Sequence, residues 1–466
     1  MPINFPTKLN TDKLIITMSR YSLATTLLSL FVIVSTASAH EGSSGDAFGG
    51  GAWSYLPVEM PTPLSDMSVD ILSVNGNDKE SIILTGGCDS ADGNVYFEAD
   101  WGEGFACSSV TSKVYAFDPI HNSTTSTWTG TFTSLADMPR SRNRHASSIV
   151  NGLLCVFGGR DVSDALIAEV DCYDSATNTW STPASLPAER QVSDFTAFTD
   201  ETKNVVYLVA GYDSFYTALD TVTMVDMSDM ENISFSNGPS LKGERGDIDS
   251  AVVDSRYVYV SGGFTHANNY SNPLSTVEMF DMETSTWSDV DALNQERGDK
   301  QLVTLNGKIF ALGGEEKLDV SGTVNEEELP ELGARSEVLD TVEVLNPMED
   351  GAQWVKLDDM PGQLFRFAAA KWKDEAEDEA EVAEDHHHDH GYIFVLGGQV
   401  GYDAECKCFR TTDHVMVMDV SHAEDEAEAD HDHAVEASGA TIVRHSGTLL
   451  SLIAAGLLWL SAATAI

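Results

Sequence analysis

The sequence predicts an all-β fold, a six-bladed β-propeller closed by an N-terminal strand that completes the last blade. Three observations predict it. A strand ending in a Gly pair recurs six times, a second strand ending in Asp or Asn follows each copy, and a Trp-bearing strand stands at the N-terminus where the sixth copy lacks one. A chain of 466 residues is too long for one ordinary core, and units that each bury a face against the next solve that problem. The 36 glycines, with frequent Thr, Val and Tyr, favour turns and strands over long helices.

The first strand of each unit ends at Gly87, Gly159, Gly211, Gly263, Gly314 and Gly398, and the middle intervals are 52, 52 and 51 residues. The second strand ends at Asp118, Asp174, Asp226, Asp281, Asn346 and Asp419, and Trp128, Trp180, Trp287 and Trp354 follow in four units. Four strands per unit are implied, named a, b (ending in the Gly pair), c (ending in the acid or amide) and d (carrying Trp) from the inside outward. The Gly pair permits a tight turn, and Trp supplies a large apolar plate between blades. The third unit departs from the pattern, with Ala210 for the first Gly and Phe235 for the Trp. The sixth stops after strand c, and residues 51–57, containing Trp53, read as the missing strand d, which removes an open sheet edge.

This order of strand-Gly-Gly, strand-Asp and Trp over residues 52–420 resembles the kelch repeat, including the kelch repeats of galactose-oxidase-like central domains. The resemblance implies a propeller that presents loops to a partner. Some kelch propellers are enzymes, and two kinds are similar in architecture: copper radical oxidases and secreted sialic-acid mutarotases. The copper chemistry needs a thioether-linked Tyr and Cys with two His at the channel, which His145, His266 and the loop cysteines do not offer. A mutarotase needs an acid or base beside arginine, and Glu189, Glu244 and Glu296 qualify on composition, although structural pairing with Arg190, Arg245 and Arg297 is the favoured reading of these three.

In a four-stranded meander the d-a and b-c connections share one face, and the a-b and c-d connections share the other. The d-a connections carry Arg142, Arg190, Arg245, Arg297 and Arg366. Arginines at one height around an axis form a cationic mouth for a carboxylate or sulfate. The same residues also suit a second role, knitting one blade to the next, and the expectation is that most do so while one or two contact ligand.

Cys88, Cys107, Cys406 and Cys408 fall in the b-c loops of units one and six, neighbours once the ring closes. Disulfides are expected there. Cys88 with Cys107 is the simplest pair; Cys406 with Cys408, or two bonds between the loops, are the alternatives. Cys155 and Cys172 lie on adjacent strands b and c, as a disulfide or as two buried thiols.

The ends read as targeting signals. Lys8, Lys13 and Arg20 precede an apolar run from Leu23 to Val34 and the small residues Ala37, Ser38 and Ala39, the order of a secretory signal. At the other end Ser438 and Gly439 precede a spacer and an apolar tail, which suggests a glycosylphosphatidylinositol (GPI) attachment signal. The expected organisation is signal peptide 1–39, leader 40–51, propeller 52–420 with an acidic, His-rich insertion at 374–390, acidic linker 421–438 and anchor signal 439–466. Sequons at Asn122, Asn232 and Asn269 fit an extracellular glycoprotein.

The formal net charge of -48 repels any phosphate backbone at long range, which disfavours nucleic acid, and no nucleic-acid partner is expected. His386, His387, His388 and His390 in the insertion, with His431 and His433 in the linker, could capture zinc or copper weakly, but no fixed ligand spacing marks a site and no cofactor is required. A solvated acidic linker is the favoured reading of both tracts. The function expected is an extracellular, membrane-anchored, monomeric recognition module for a protein or glycan. The alternative is a secreted enzyme acting on an acidic sugar.

Overall fold

The structure is a computed structural model that describes residues 52–74, 79–99, 102–266, 272–317, 336–349, 351–373, 391–403 and 405–420. The expected signal peptide, leader, insertion, linker and anchor signal lie outside these residues, with His386, His387, His388, His390, His431, His433, Asn269, Ser438 and Gly439. Everything described belongs to the unit Phe48–Ile466.

Six four-stranded antiparallel sheets correspond to the six units. From inner to outer strand, blade 1 is Ser68–Ser73, Glu80–Thr85, Val114–Asn122 and Thr127–Ser134. Blade 2 is Ala146–Val150, Leu153–Phe157, Glu169–Asp174 and Thr179–Ser185, and blade 3 is Thr196–Asp200, Val205–Val209, Val222–Asp226 and Ser234–Asn237. Blade 4 is Asp249–Val253, Tyr257–Ser261, Val277–Asp281 and Thr286–Val290; blade 5 is Gln301–Leu305, Lys308–Leu312, Val342–Leu345 and Val355–Lys356. Blade 6 takes Ala368–Trp372, Tyr392–Leu396 and Val415–Asp419 from the C-terminal side and Ala52–Tyr55 from the N-terminal side. Ala52 pairs Asp419 and Tyr55 pairs Met416, so the first strand closes the last blade. The inner strands touch in a closed cycle from blade 1 through blade 6 and back.

Six apolar clusters fill the seams between successive blades, and each contains the aromatic residue of one strand d. They hold Trp180 between blades 1 and 2, Phe235 between 2 and 3, Trp287 between 3 and 4, Trp354 between 4 and 5, Trp53 between 5 and 6, and Trp128 between 6 and 1. Phe235 therefore fills the Trp place in the irregular third unit. Three of the indoles also bond across the seam: Trp180, Trp287 and Trp354 donate Nε1–H to the carbonyls of Ala136, Pro239 and Asp291 on the preceding blade, at 2.8, 2.8 and 3.1 Å.

Both residues of each pair have positive φ, from +52° to +63° at the first position and +81° to +103° at the second. A side chain at Gly262 would also meet the Arg297 carbonyl at 2.2 Å, so conformation and space both ask for Gly. Ala210 holds the same conformation at +59°.

The cysteines pair as Cys88–Cys107, Cys155–Cys172 and Cys406–Cys408, and no described cysteine is free. Neither bonds between the two loops nor buried thiols occur. The loops of blades 1 and 6 are joined instead by main-chain pairing: Asn94–Ala99, Gly102–Cys107, Gln399–Asp403 and Cys408–Thr411 form one further four-stranded sheet, with Cys408 opposite Val95.

Candidate functional site

The chain enters each inner strand through one residue in the left-handed conformation, and these six residues form a ring. They are Asp66, Arg144, Asp194, Asp247, Asp299 and Arg366, with φ between +51° and +57°. The N–H of each donates to the carbonyl of the one before at 2.9 to 3.0 Å, and Asp66 donates to Arg366 to close the circle. All six line a cavity of about 550 Å³ on the axis of the inner strands.

The ring is of mixed charge, four carboxylates to two guanidinium groups. Arg366 Nε donates to Asp299 Oδ2 at 2.9 Å and lies 3.7 Å from Asp66 Oδ1. Arg144 Nε lies 3.4 Å from Asp66 and 3.6 Å from Asp194. Burial opposes the charge of both arginines, but the neighbouring carboxylates more than offset it and hold both above the ordinary guanidinium range. Asp247 accepts a 2.7 Å bond from the Tyr212 hydroxyl. Burial, followed by the charges of Asp299 and Asp194, pushes its carboxyl well above the usual carboxylate range. Further along the channel, burial lifts Asp70 to about 7 and Asp249 to about 6, against hydrogen bonds from the Ser147 hydroxyl and the Leu302 and Ser250 amides.

The arginines singled out from the sequence come from three different places. Arg142, Arg245 and Arg297 lie inside blades 2, 4 and 5, with exposures of 0, 3 and 0%. Each donates to the carbonyl of the first Gly of the pair, to a carbonyl at the start of strand c, and to an acid within strand c: Asp171, Glu278 or Glu343. That burial takes them out of the expected cationic mouth, because their terminal guanidinium nitrogens bond inside the blade; Nε of Arg142 and of Arg245 is buried there without a partner. Arg190, at the outer part of blade 3, donates to Thr223 Oγ1 and the Ser236 carbonyl. Arg366 alone of the five reaches the channel, and Arg144 joins it there. Glu189, Glu244 and Glu296 do not line the channel, and the acid partners of Arg245 and Arg297 are Glu278 and Glu343 of strand c instead.

His145 lies beneath the ring with Nε2 3.0 Å from Thr85 Oγ1, and burial followed by the charge of Arg142 depresses its pKa well below the usual value. Among the described residues no group of three or more His, Cys, Asp or Glu side chains is arranged to hold a metal ion. Asn122 and Asn232 lie at exposed positions near c-d turns.

Beside the ring two b-c loops repeat one design. Asp161 Oδ1 accepts the amides of Ser163 and Ala165 in blade 2, and Asp213 Oδ1 accepts those of Phe215 and Thr217 in blade 3. The loops are stapled together. Arg160 donates to the Asp164 and Asp213 carbonyls and lies 3.8 Å over the Tyr216 ring, and the Tyr216 hydroxyl donates to Asp164 at 2.7 Å while accepting from Arg144 of the ring at 3.3 Å. The stapled pair presents Phe215, 86% exposed, and Val162, 64% exposed. Of the six ring residues only Arg366 is among the arginines expected from the sequence; the other five, and these loops, are not.

Known proteins agree with this architecture. The KLHDC2/KLHL20/DRC7 Kelch-repeats domain matches residues 77–314. Alpha-scruin of Limulus polyphemus is 27% identical over 203 residues, covering 42% of this chain and 21% of its own length. Kelch-like protein terF of Aspergillus terreus is 27% identical over 196 residues, covering 40% and 41%, and Kelch-like protein 40 of Xenopus laevis is 26% identical over 164 residues, covering 34% and 24%. The chain thus spans less than half the length of these relatives. Among solved structures YjhT matches 78% of this chain and 96% of its own at a TM-score of 0.51 and 12% identity, a likeness of fold alone. Repeats, blades and matched relatives together establish that the chain belongs to the kelch-repeat family.

Proposed function

We propose that this protein is a recognition module that engages a protein partner through its b-c face. The exposure of Phe215 carries this reading. A large apolar side chain held outward by a hydrogen-bonded turn on a braced loop is what a protein interface uses as an anchor. The mixed-charge ring beside it would set orientation and exclude wrong partners more than supply affinity. Rigid loops on a closed scaffold lose little entropy on binding.

The site of action we propose is the extracellular surface, with the chain secreted, glycosylated at its sequons and held by a C-terminal lipid. The order of basic, apolar and small residues at the N-terminus supports this, as do the three disulfides, which an oxidising compartment favours. Comparing capture by the wild type and by Phe215→Ser/Val162→Ser, then measuring affinity with the purified partner, tests the interface. A partner that binds both proteins equally contradicts it. Release from cells by a phosphatidylinositol-specific phospholipase tests the anchor.

A further inference from the structure

The opposite face holds a second cavity, of about 750 Å³, where strand ends of blades 1 and 6 meet the a-b turn of blade 5 at Asn306 and Gly307. Its lining includes three lysines, Lys79, Lys371 and Lys373, and one carboxylate, Glu80, all exposed. In a chain with 26 basic residues against 74 acidic ones, three ammonium groups around one opening are unusual, and among the described residues none of the three forms an ion pair. Trp128 and Trp372 contribute to the wall, and the His121 ring stacks on Trp128 at 4.5 Å. Thr304, also in the lining, has its hydroxyl oxygen buried without a hydrogen-bond partner.

The geometry points to a binding site for an acidic saccharide in this cavity. Ammonium groups supply point-charge partners for carboxylate or sulfate. The half-buried Trp372, rather than Trp128, which is buried against His121, Tyr392 and Phe394, offers apolar surface for the C–H face of a sugar ring, and the Thr304 hydroxyl offers a partner for a sugar hydroxyl. The volume lies within the range of small-ligand pockets. A concave, tryptophan-lined cavity fits a free sugar acid better than it fits a membrane surface, which a flat basic patch would serve. The site is separate from the b-c face and does not depend on a partner binding there.

The test uses the full chain titrated with trigalacturonate, neutral maltotriose and phosphatidylserine vesicles, followed by calorimetry and tryptophan fluorescence. The expected result is saturable binding of trigalacturonate with a fluorescence change, at least tenfold weaker binding of maltotriose, and at least tenfold loss in Lys371→Ala/Lys373→Ala. Lys113→Ala/Lys242→Ala removes the same charge from the other face and should leave binding unchanged, which separates local contact from long-range attraction. All four lysines are exposed, so equal melting temperatures of the variants verify that they fold. Absence of trigalacturonate binding, equal loss in both double variants, or binding to vesicles without binding to the saccharide overturns the assignment.

Discussion

Asp66 donates its main-chain N–H to the carbonyl of Arg366 at 3.0 Å, and the Arg366 guanidinium returns to within 3.7 Å of the Asp66 carboxylate. This contact closes the ring that the other five positions only prolong. It joins blade 1 to blade 6 on the axis, while Ala52–Tyr55 pairs with Met416–Asp419 to close blade 6 at the rim. The propeller is thus fastened at its inner and outer edges.

Charge inside a blade should matter more to stability than charge in the channel. Arg297→Met would leave Glu343, 2% exposed, as an uncompensated buried carboxylate, and a loss of about 3–5 kcal/mol is expected by chemical denaturation. Arg297→Met/Glu343→Leu should recover most of that loss, because a buried ion pair and a well-packed apolar pair are often close in free energy. Arg366→Met, in the water-reached channel, should cost less than Arg297→Met.

The channel carboxylates predict a pH dependence of a definite sign. The folded-state pKa of Asp70, at about 7, is raised above its ordinary 3.8, so the folded chain holds this proton more tightly than the unfolded chain. The stabilisation is therefore complete below pH 3.8 and is lost as pH rises through 7. Between pH 5 and 8 the wild type should lose stability relative to Asp70→Asn, by on the order of 1–2 kcal/mol once shielding by channel water is allowed for. Parallel stability curves for the two proteins would contradict the raised value.

The three disulfides should contribute unequally. Cys88–Cys107 and Cys155–Cys172 close loops of 19 and 17 residues, whereas Cys406–Cys408 spans only 2. Since the cross-link acts largely by restricting the unfolded chain, Cys155→Ala/Cys172→Ala should cost about 3 kcal/mol and Cys406→Ser/Cys408→Ser less than about 1 kcal/mol. Denaturant midpoints of the two double variants measure the difference.

The blades were legible in the sequence because the Gly pair, the strand-c acid and the strand-d aromatic recur at fixed places for fixed physical reasons. The N-terminal strand was legible through Trp53. The ring was not, because its conformation tolerates both Asp and Arg, so no single residue type marks it. Alignment at the start of strand a would have found it: Arg142, Arg245 and Arg297 stand two residues before Arg144, Asp247 and Asp299. That two-residue offset decides whether a guanidinium enters the blade or faces the channel. Counting arginines without fixing their register merged the two classes with Arg190, which belongs to neither. The pairing of the two cysteine-bearing loops was hidden for another reason: their sheet forms between segments some 300 residues apart, and neither loop carries a repeat.

The most direct measurement places a photocrosslinking amino acid at Phe215 on the b-c face and, separately, at Met348 in an exposed c-d turn on the other face. Irradiation in the native setting and mass spectrometry then identify what each position touches. The account predicts a protein adduct from position 215 that is absent from position 348, and at least tenfold weaker binding of the purified adduct protein to Phe215→Ser/Val162→Ser. The same adducts from both positions, or adducts from position 348 alone, would contradict recognition through the b-c face.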